Sequence, residues 1–155
     1  MVNSLDADAI ERRSGVAPCP APLRVLIVDD NVDAVGMLTM VLEAAGHDVR
    51  AAHNGPASLE AAVLYRPNVI LLDIGLPGLD GYEVARKLRE QAIFTDVVLI
   101  ATTGHGQDRD RQRSHEAGFN HHLVKPYDFE TLERILAAVL PPIDGSELVP
   151  RTPTL

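Results

Sequence analysis

Six side chains in this sequence are of types that could act together on a charged group: Asp29, Asp30, Asp73, Thr102, Thr103 and Lys125. Each stands where a short apolar run gives way to polar residues: Leu23–Val28 before the acidic pair, Val69–Leu72 before Asp73, Val97–Ala101 before the threonines, and His121–Val124 before Lys125. Two unit charges about 4 Å apart repel by roughly 4 kcal/mol at an effective dielectric of 20, so three carboxylates in one pocket need positive charge. Lys125 supplies one such charge and a hard divalent cation the remainder. Mg²⁺ suits this donor set, because it takes one or two carboxylates, waters and a phosphate in preference to an all-protein cage. The same pocket is equipped for phosphoryl transfer: an ionised Asp73 Oδ attacks phosphorus while cation and ammonium screen the equatorial oxygens, and the Thr103 hydroxyl then meets a phosphoryl oxygen. Positioning and neutralisation do the catalysis, with no general base. Taken alone, Asp29 and Asp30 read better as a solvated strand end or helix cap, and Thr103 as a turn hydroxyl. Their combination with Asp73 and Lys125 carries the functional reading.

What must gather these residues is a succession of βα units, since strand-sized apolar runs alternate with longer stretches of helical period. Leu23–Val28 is apolar apart from Arg24, as a strand covered on both faces should be. From Asn31 to Ala45, Val35, Leu38, Val41 and Leu42 fall on one stripe, and Gly46 follows as a C′ residue. Asp48–Ala52 is a second, weaker strand; Asn54-Gly55 makes a turn, and Pro56 opens a helix that stops before Pro67. Val69–Leu72 is the third strand. Pro77, Gly78 and Gly81 mark the loop to a helix with Val84, Ala85 and Leu88, and Val97–Ala101 is the fourth strand. A polar helix from about Gln107 to Ala117 follows, then the strand His121–Val124 and a last helix burying Phe129, Leu132, Ile135, Leu136 and Val139. In an open α/β sheet, ligands bind beyond the carboxyl ends of the strands. If strands one and three are neighbours, as in the order 2-1-3-4-5, the carboxylates converge.

Length and charge narrow the classes. A chain of 155 residues, 46% hydrophobic, suits one domain. The net charge of -8 leaves no basic field for nucleic acid or acidic lipid. No apolar run approaches the roughly 20 residues of a membrane span, and the opening residues lack the apolar block of a secretory signal, so the expected compartment is the cytoplasm. Residues 1–22, polar and then Pro-rich, read as a flexible leader; 23–140 read as the domain, and 141–155, after Pro141 and Pro142, as a flexible tail. The one cysteine, Cys19, lies in that leader and cannot close an intrachain disulfide.

Four segments, taken together, resemble the receiver domain of two-component response regulators: Val-Asp-Asp at 28–30, Leu-Asp-Ile-Gly-Leu-Pro-Gly-Leu-Asp-Gly at 72–81, Ala-Thr-Thr-Gly at 101–104 and Ala-Gly-Phe-Asn-His-His-Leu-Val-Lys-Pro at 117–126. The likeness is to receivers of hybrid sensor kinases or to single-domain response regulators. It implies a flavodoxin-like doubly wound (βα)₅ fold with a five-stranded parallel sheet in the order 2-1-3-4-5. It makes Asp73 the phosphoacceptor, and assigns Mg²⁺ to Asp30, Asp73 and the Gly75 carbonyl, with Asp29 acting through a coordinated water. Thr103, followed by the small Gly104, becomes the switch hydroxyl; Lys125 pairs with the phosphoryl group, and Lys125-Pro126 is expected to be cis. His122 stands at the switch position where such receivers usually carry Tyr or Phe. The implied donor is a phosphohistidine on a histidine kinase or histidine phosphotransfer protein, and the implied output is altered binding of a downstream protein partner through helix four, strand five and helix five. No nucleic-acid or membrane partner is expected, no DNA-binding or enzymatic output segment is recognised, and the only catalysis implied is the domain's own phosphorylation and dephosphorylation.

Three other functions are open to such a fold. A binding module that no longer uses phosphate would not need Asp73, Lys125 and the acidic pair. A metal-dependent phosphohydrolase would carry a second acid or base two residues beyond its nucleophile, where this chain has Gly75. A flavin site would need a phosphate-cradling loop after strand one. Among the histidines, His121 and His122 point to opposite faces of a strand and cannot readily share a metal. His47 and His53 read as surface residues, His105 equally as a residue lining the pocket mouth and affecting dephosphorylation by water or as an ordinary exposed loop residue, and Met37 and Met40 as helix packing.

Overall fold

The structure, a computed structural model, describes residues 22–104 and 108–139, with the side chains of 108–110 excepted. The readings that fall on the leader, the tail and His105 lie outside the described residues. Five strands, β1 (Arg24–Val28), β2 (Asp48–Ala52), β3 (Val69–Asp73), β4 (Val98–Thr103) and β5 (His121–Val124), alternate with helices α1 (Val32–Ala44), α2 (Gly55–Tyr65), α3 (Gly81–Arg89), α4 (Asp108–Ala117) and α5 (Phe129–Ala137). A 3₁₀ turn, Ala92–Phe94, precedes β4 and has no counterpart in the sequence reading. The strands form one parallel sheet in the order β2-β1-β3-β4-β5, as expected.

Period-two alternation divides the core between the two faces of the sheet. Leu26, Val28, Ile70, Leu72 and Leu99 pack with Ala62, Val84, Ala85 and Leu88, which places α2 and α3 on one face. Val25, Ile27, Val69, Leu71 and Ile100 pack with Val35, Leu42, Leu132 and Leu136, which places α1 and α5 on the other. Helix starts are written in the sequence as Asx residues: Asn31, Asn54, Asp80 and Asp128 each accept a backbone N–H from three residues on, capping α1, α2, α3 and α5. At the end of the sheet away from the strand carboxyl termini, Arg89 donates from Nε to Gly118 O, from Nη1 to Phe94 O and from Nη2 to Asn120 Oδ1, tying α3 to the turns before β4 and β5.

Two expectations are corrected. Met37 and Met40 do not pack: they are 71% and 72% exposed, and Val32 and Val41 are exposed with them. The reason is that α1 meets the sheet through Val35, Leu38 and Leu42, leaving the intervening positions of an almost wholly apolar helix outside. His47 is not a surface residue but 7% exposed, its Nδ1 accepting the Leu23 N–H at 3.2 Å at the entry to β1. Burial lowers its pKa from the ordinary 6.5, while the charge of Glu133 opposes that shift.

Candidate functional site

Beyond the carboxyl ends of β1 and β3, neighbours in the sheet, the carboxylates of Asp29, Asp30 and Asp73 come together, each offering an oxygen within 4.8 Å of the others. Asp29 and Asp73 are only 7% and 9% exposed, while Asp30, at the bend leading into α1, faces solvent. β4 runs through Thr103, two residues further than its apolar run suggests, and brings Thr102 opposite Asp73 in the register. Both threonines are buried. The Lys125 N–H donates to Thr103 O at 2.7 Å, which returns the chain after β5 toward the same pocket, and the Lys125-Pro126 peptide is cis, as expected.

The lysine bridges two of the acids. Its Nζ lies 2.8 Å from Asp29 Oδ2 and 3.5 Å from Asp73 Oδ2. Burial alone would lower the ammonium's pKa, but the hydrogen bond to Asp29 and the charges of Asp73 and Asp29 outweigh it and raise the value above 10.5. Asp73 is raised above the ordinary 3.8, first by loss of solvent and further by Asp29; the Gly75 N–H, which donates to Asp73 Oδ1 at 3.0 Å, and Lys125 hold it back. One ammonium against three carboxylates leaves the pocket short of positive charge. The donor set is all oxygen, hard and clustered, and fits a small divalent cation of the Mg²⁺ type.

The loop after Asp73 is fixed by close packing. A Cβ added at Gly81 would lie 2.6 Å from Asp73 O and 2.7 Å from Ile74 Cα, and the Gly81 N–H donates to Ile74 O at 3.1 Å. On the other side, the Ile74 N–H donates to Thr102 O at 3.0 Å. His122 on β5 is half-buried and shares a hydrogen bond of 3.0 Å with Ser114 Oγ, so this expected switch residue reaches the adjacent helix α4.

Two features escape the sequence. His53 is exposed, as expected of a surface residue, yet it bonds from Nδ1 to the Asp29 carbonyl at 2.9 Å; only its place just after β2, beside β1, could have signalled that contact. A cleft of about 480 Å³ adjoins the acids, lined by Ile27, Val35, Leu38, Leu71, Thr102 and Phe129 together with Asp29 and Lys125. Among the described residues, no helix is long and apolar enough to cross a membrane.

Residues 25–137 match the family model of the response regulator receiver domain. Protein PilH of Pseudomonas aeruginosa is 38% identical over 117 residues, 76% of this chain and 97% of that protein. The DNA-binding dual master transcriptional regulator RpaA of Synechocystis is 33% identical over the same share of this chain, which spans only 48% of that longer regulator. Among solved structures, the chemotaxis protein CheY4 of Vibrio cholerae superposes with a TM-score of 0.73 at 31% identity, covering 77% of this chain and 100% of that one. The receiver domain of a Pseudomonas aeruginosa sensor histidine kinase, solved with magnesium coordinated in its active-site cleft, superposes with a TM-score of 0.70 at 33% identity over 77% of this chain and 98% of its own.

Proposed function

This chain belongs to the response regulator receiver domain family, and from that membership we propose that it takes a phosphoryl group from a phosphohistidine onto Asp73 and so switches the binding of a protein partner. The observation that carries the proposal is the meeting of Asp29, Asp30 and Asp73 around one bridging ammonium, Lys125. Asp73 Oδ forms the new O–P bond as the donor's N–P bond breaks; the electron pair returns to the imidazole nitrogen, which takes a proton from solvent. Asp29, Asp30, Asp73 and the Gly75 carbonyl would hold Mg²⁺, which supplies charge neutralisation for the phosphoryl oxygens. Lys125, held now mainly by Asp29, pairs with the incoming phosphoryl group, and the Thr103 hydroxyl closes on it afterwards. His122, through Ser114, then carries the change to α4.

The test is incubation with a small acyl or amido phosphate. One phosphoryl group per chain is expected with Mg²⁺ and none with a chelator, and hydroxylamine should remove it, as it does an acyl phosphate. Label that survives hydroxylamine, or uptake indifferent to the metal, refutes the proposal.

A donor histidine must come within bonding distance of Asp73, so the protein bearing it has to cover the surface next to the acids. The exposed apolar residues of α1, Val32, Met37, Met40 and Val41, together with the adjoining cleft, give that donor its seat. Charging this face in a Met37→Asp, Met40→Asp double variant should slow phosphorylation by a histidine phosphotransfer protein at least tenfold and leave the small-donor rate unchanged. Equal loss with both donors would place the effect in the pocket and not on this face. The net charge of -8 favours a protein over nucleic acid as the reader of the switch.

A further inference from the structure

Every polar atom of Asp29 has a partner. Its N–H donates to Ala52 O at 3.1 Å, its Oδ1 accepts the Asn31 N–H at 2.9 Å, and its Oδ2 accepts from Lys125 Nζ at 2.8 Å. The fourth atom, the carbonyl oxygen, is met at 2.9 Å by Nδ1 of His53. A carbonyl has no proton to give, so in this bond Nδ1 carries the hydrogen. The end of β2 and the residue after it therefore grip the backbone of Asp29 twice, once through the Ala52 carbonyl and once through the His53 imidazole.

The neighbour gains most from that grip. Asp30 is exposed, and among the described residues no side-chain hydrogen bond holds its carboxylate. Its direction toward the shared cation position thus depends on the peptide plane joining residues 29 and 30, the plane to which the Asp29 carbonyl belongs. We propose that His53 is a positioning residue for the cation site: its Nδ1–H fixes the 29–30 peptide so that the Asp30 carboxylate meets those of Asp29 and Asp73. The inference rests on the reading that these acids hold a divalent cation. Partners that orient metal ligands without touching the metal are typically worth about 10- to 100-fold in metal affinity.

The experiment is Mg²⁺ titration of the parent chain, His53→Leu and His53→Asn, followed by calorimetry, with thermal unfolding in chelator as a check on folding. An asparagine amide places an N–H close to where Nδ1 stands, whereas leucine keeps bulk and loses the donor. His53→Leu is expected to bind Mg²⁺ at least about tenfold more weakly, with an unfolding temperature in chelator close to the parent's, and His53→Asn to recover most of the affinity. In phosphorylation by a small donor, the leucine variant should be slow at low Mg²⁺ and reach the parent's rate at saturation. Parent-like affinity in His53→Leu overturns the inference, as does an asparagine variant weakened as much as the leucine one. If the parent itself binds no Mg²⁺, the cation reading and this inference fall together; a parent that binds it and a leucine variant that binds equally well sinks the inference alone.

Discussion

An Asp73→Asn chain is expected to take up no phosphate and, in chelator at neutral pH, to unfold at a higher temperature than its parent. The first effect follows from removing the carboxylate proposed as nucleophile, since an amide oxygen does not form a stable acyl phosphate. The second follows from the direction of the Asp73 shift. Burial and the Asp29 charge raise its pKa in the folded chain above the ordinary 3.8. A carboxyl that holds its proton more tightly when folded makes stability fall as pH rises from about that ordinary value through the raised one, and the full penalty remains above it. Asparagine carries no such penalty and still offers Oδ1 to the Gly75 N–H. A gain on the order of 1 kcal/mol corresponds to a rise of about 4 °C in a domain of this size. The difference should vanish below pH 3.8 and shrink when Mg²⁺ is added, because a ligand that binds only the folded parent stabilises it by mass action. Scanning unfolding temperature against pH, with and without Mg²⁺, reads all of this. An asparagine variant less stable than the parent at neutral pH would show that Asp73 is not under electrostatic strain.

Replacing Lys125 by alanine should act in the opposite sense on stability and cut the phosphorylation rate with a small donor by about 10²–10³-fold at saturating Mg²⁺, the usual cost of losing one charged group aimed at the transferring centre. With the ammonium gone, Asp29 and Asp73 face one another unscreened. The Lys125 pKa is raised in the folded chain, so its contribution to stability is fully present below 10.5 and is lost as pH climbs through the folded value. The parent should therefore lose stability at alkaline pH by a step that the alanine variant lacks. The side chain is 36% exposed, which solvent screening discounts to about 1 kcal/mol or less. Mg²⁺ should rescue the variant's stability while leaving its rate low, because the cation replaces charge but not the ammonium's place beside the phosphoryl oxygens. A variant that phosphorylates at the parent's rate would remove Lys125 from the chemistry.

Much of this fold is legible because each strand is a short apolar run ended by a polar group that serves the site. That β1 and β3 are neighbours follows once Asp30 and Asp73 are required to meet, the full strand order is what the family resemblance implied, and the helix starts follow from Asn31, Asn54, Asp80 and Asp128. What could not be read depends on geometry between elements distant in sequence. Apolar content says that α1 packs, but not that one side of it stays bare, which is why Met37 and Met40 look like core residues and are not. His47 and His53 are both histidines flanking the edge strand β2, indistinguishable by type; one is enclosed at its entry by Leu23, the other reaches the Asp29 carbonyl at its exit. The extension of β4 through Thr103 also escapes hydropathy, because threonine is polar by type yet buried here. The division of Lys125 between two acids, 2.8 Å from one and 3.5 Å from the other, is likewise a matter of distances that no motif encodes.

The seating of Gly81 against the main chain of Asp73 and Ile74 has a directional consequence. With α3 abutting the Asp73 backbone, the main chain would have no room to recoil toward that helix if the proposed phosphorylation attached a bulky, doubly charged group to its side chain. Displacement would then be left the opposite way, along the Ile74 N–H to Thr102 O link into β4 and its neighbour β5. One hydrogen atom in place of a methyl group would thus act as a backstop, turning a local load into movement along a single heading.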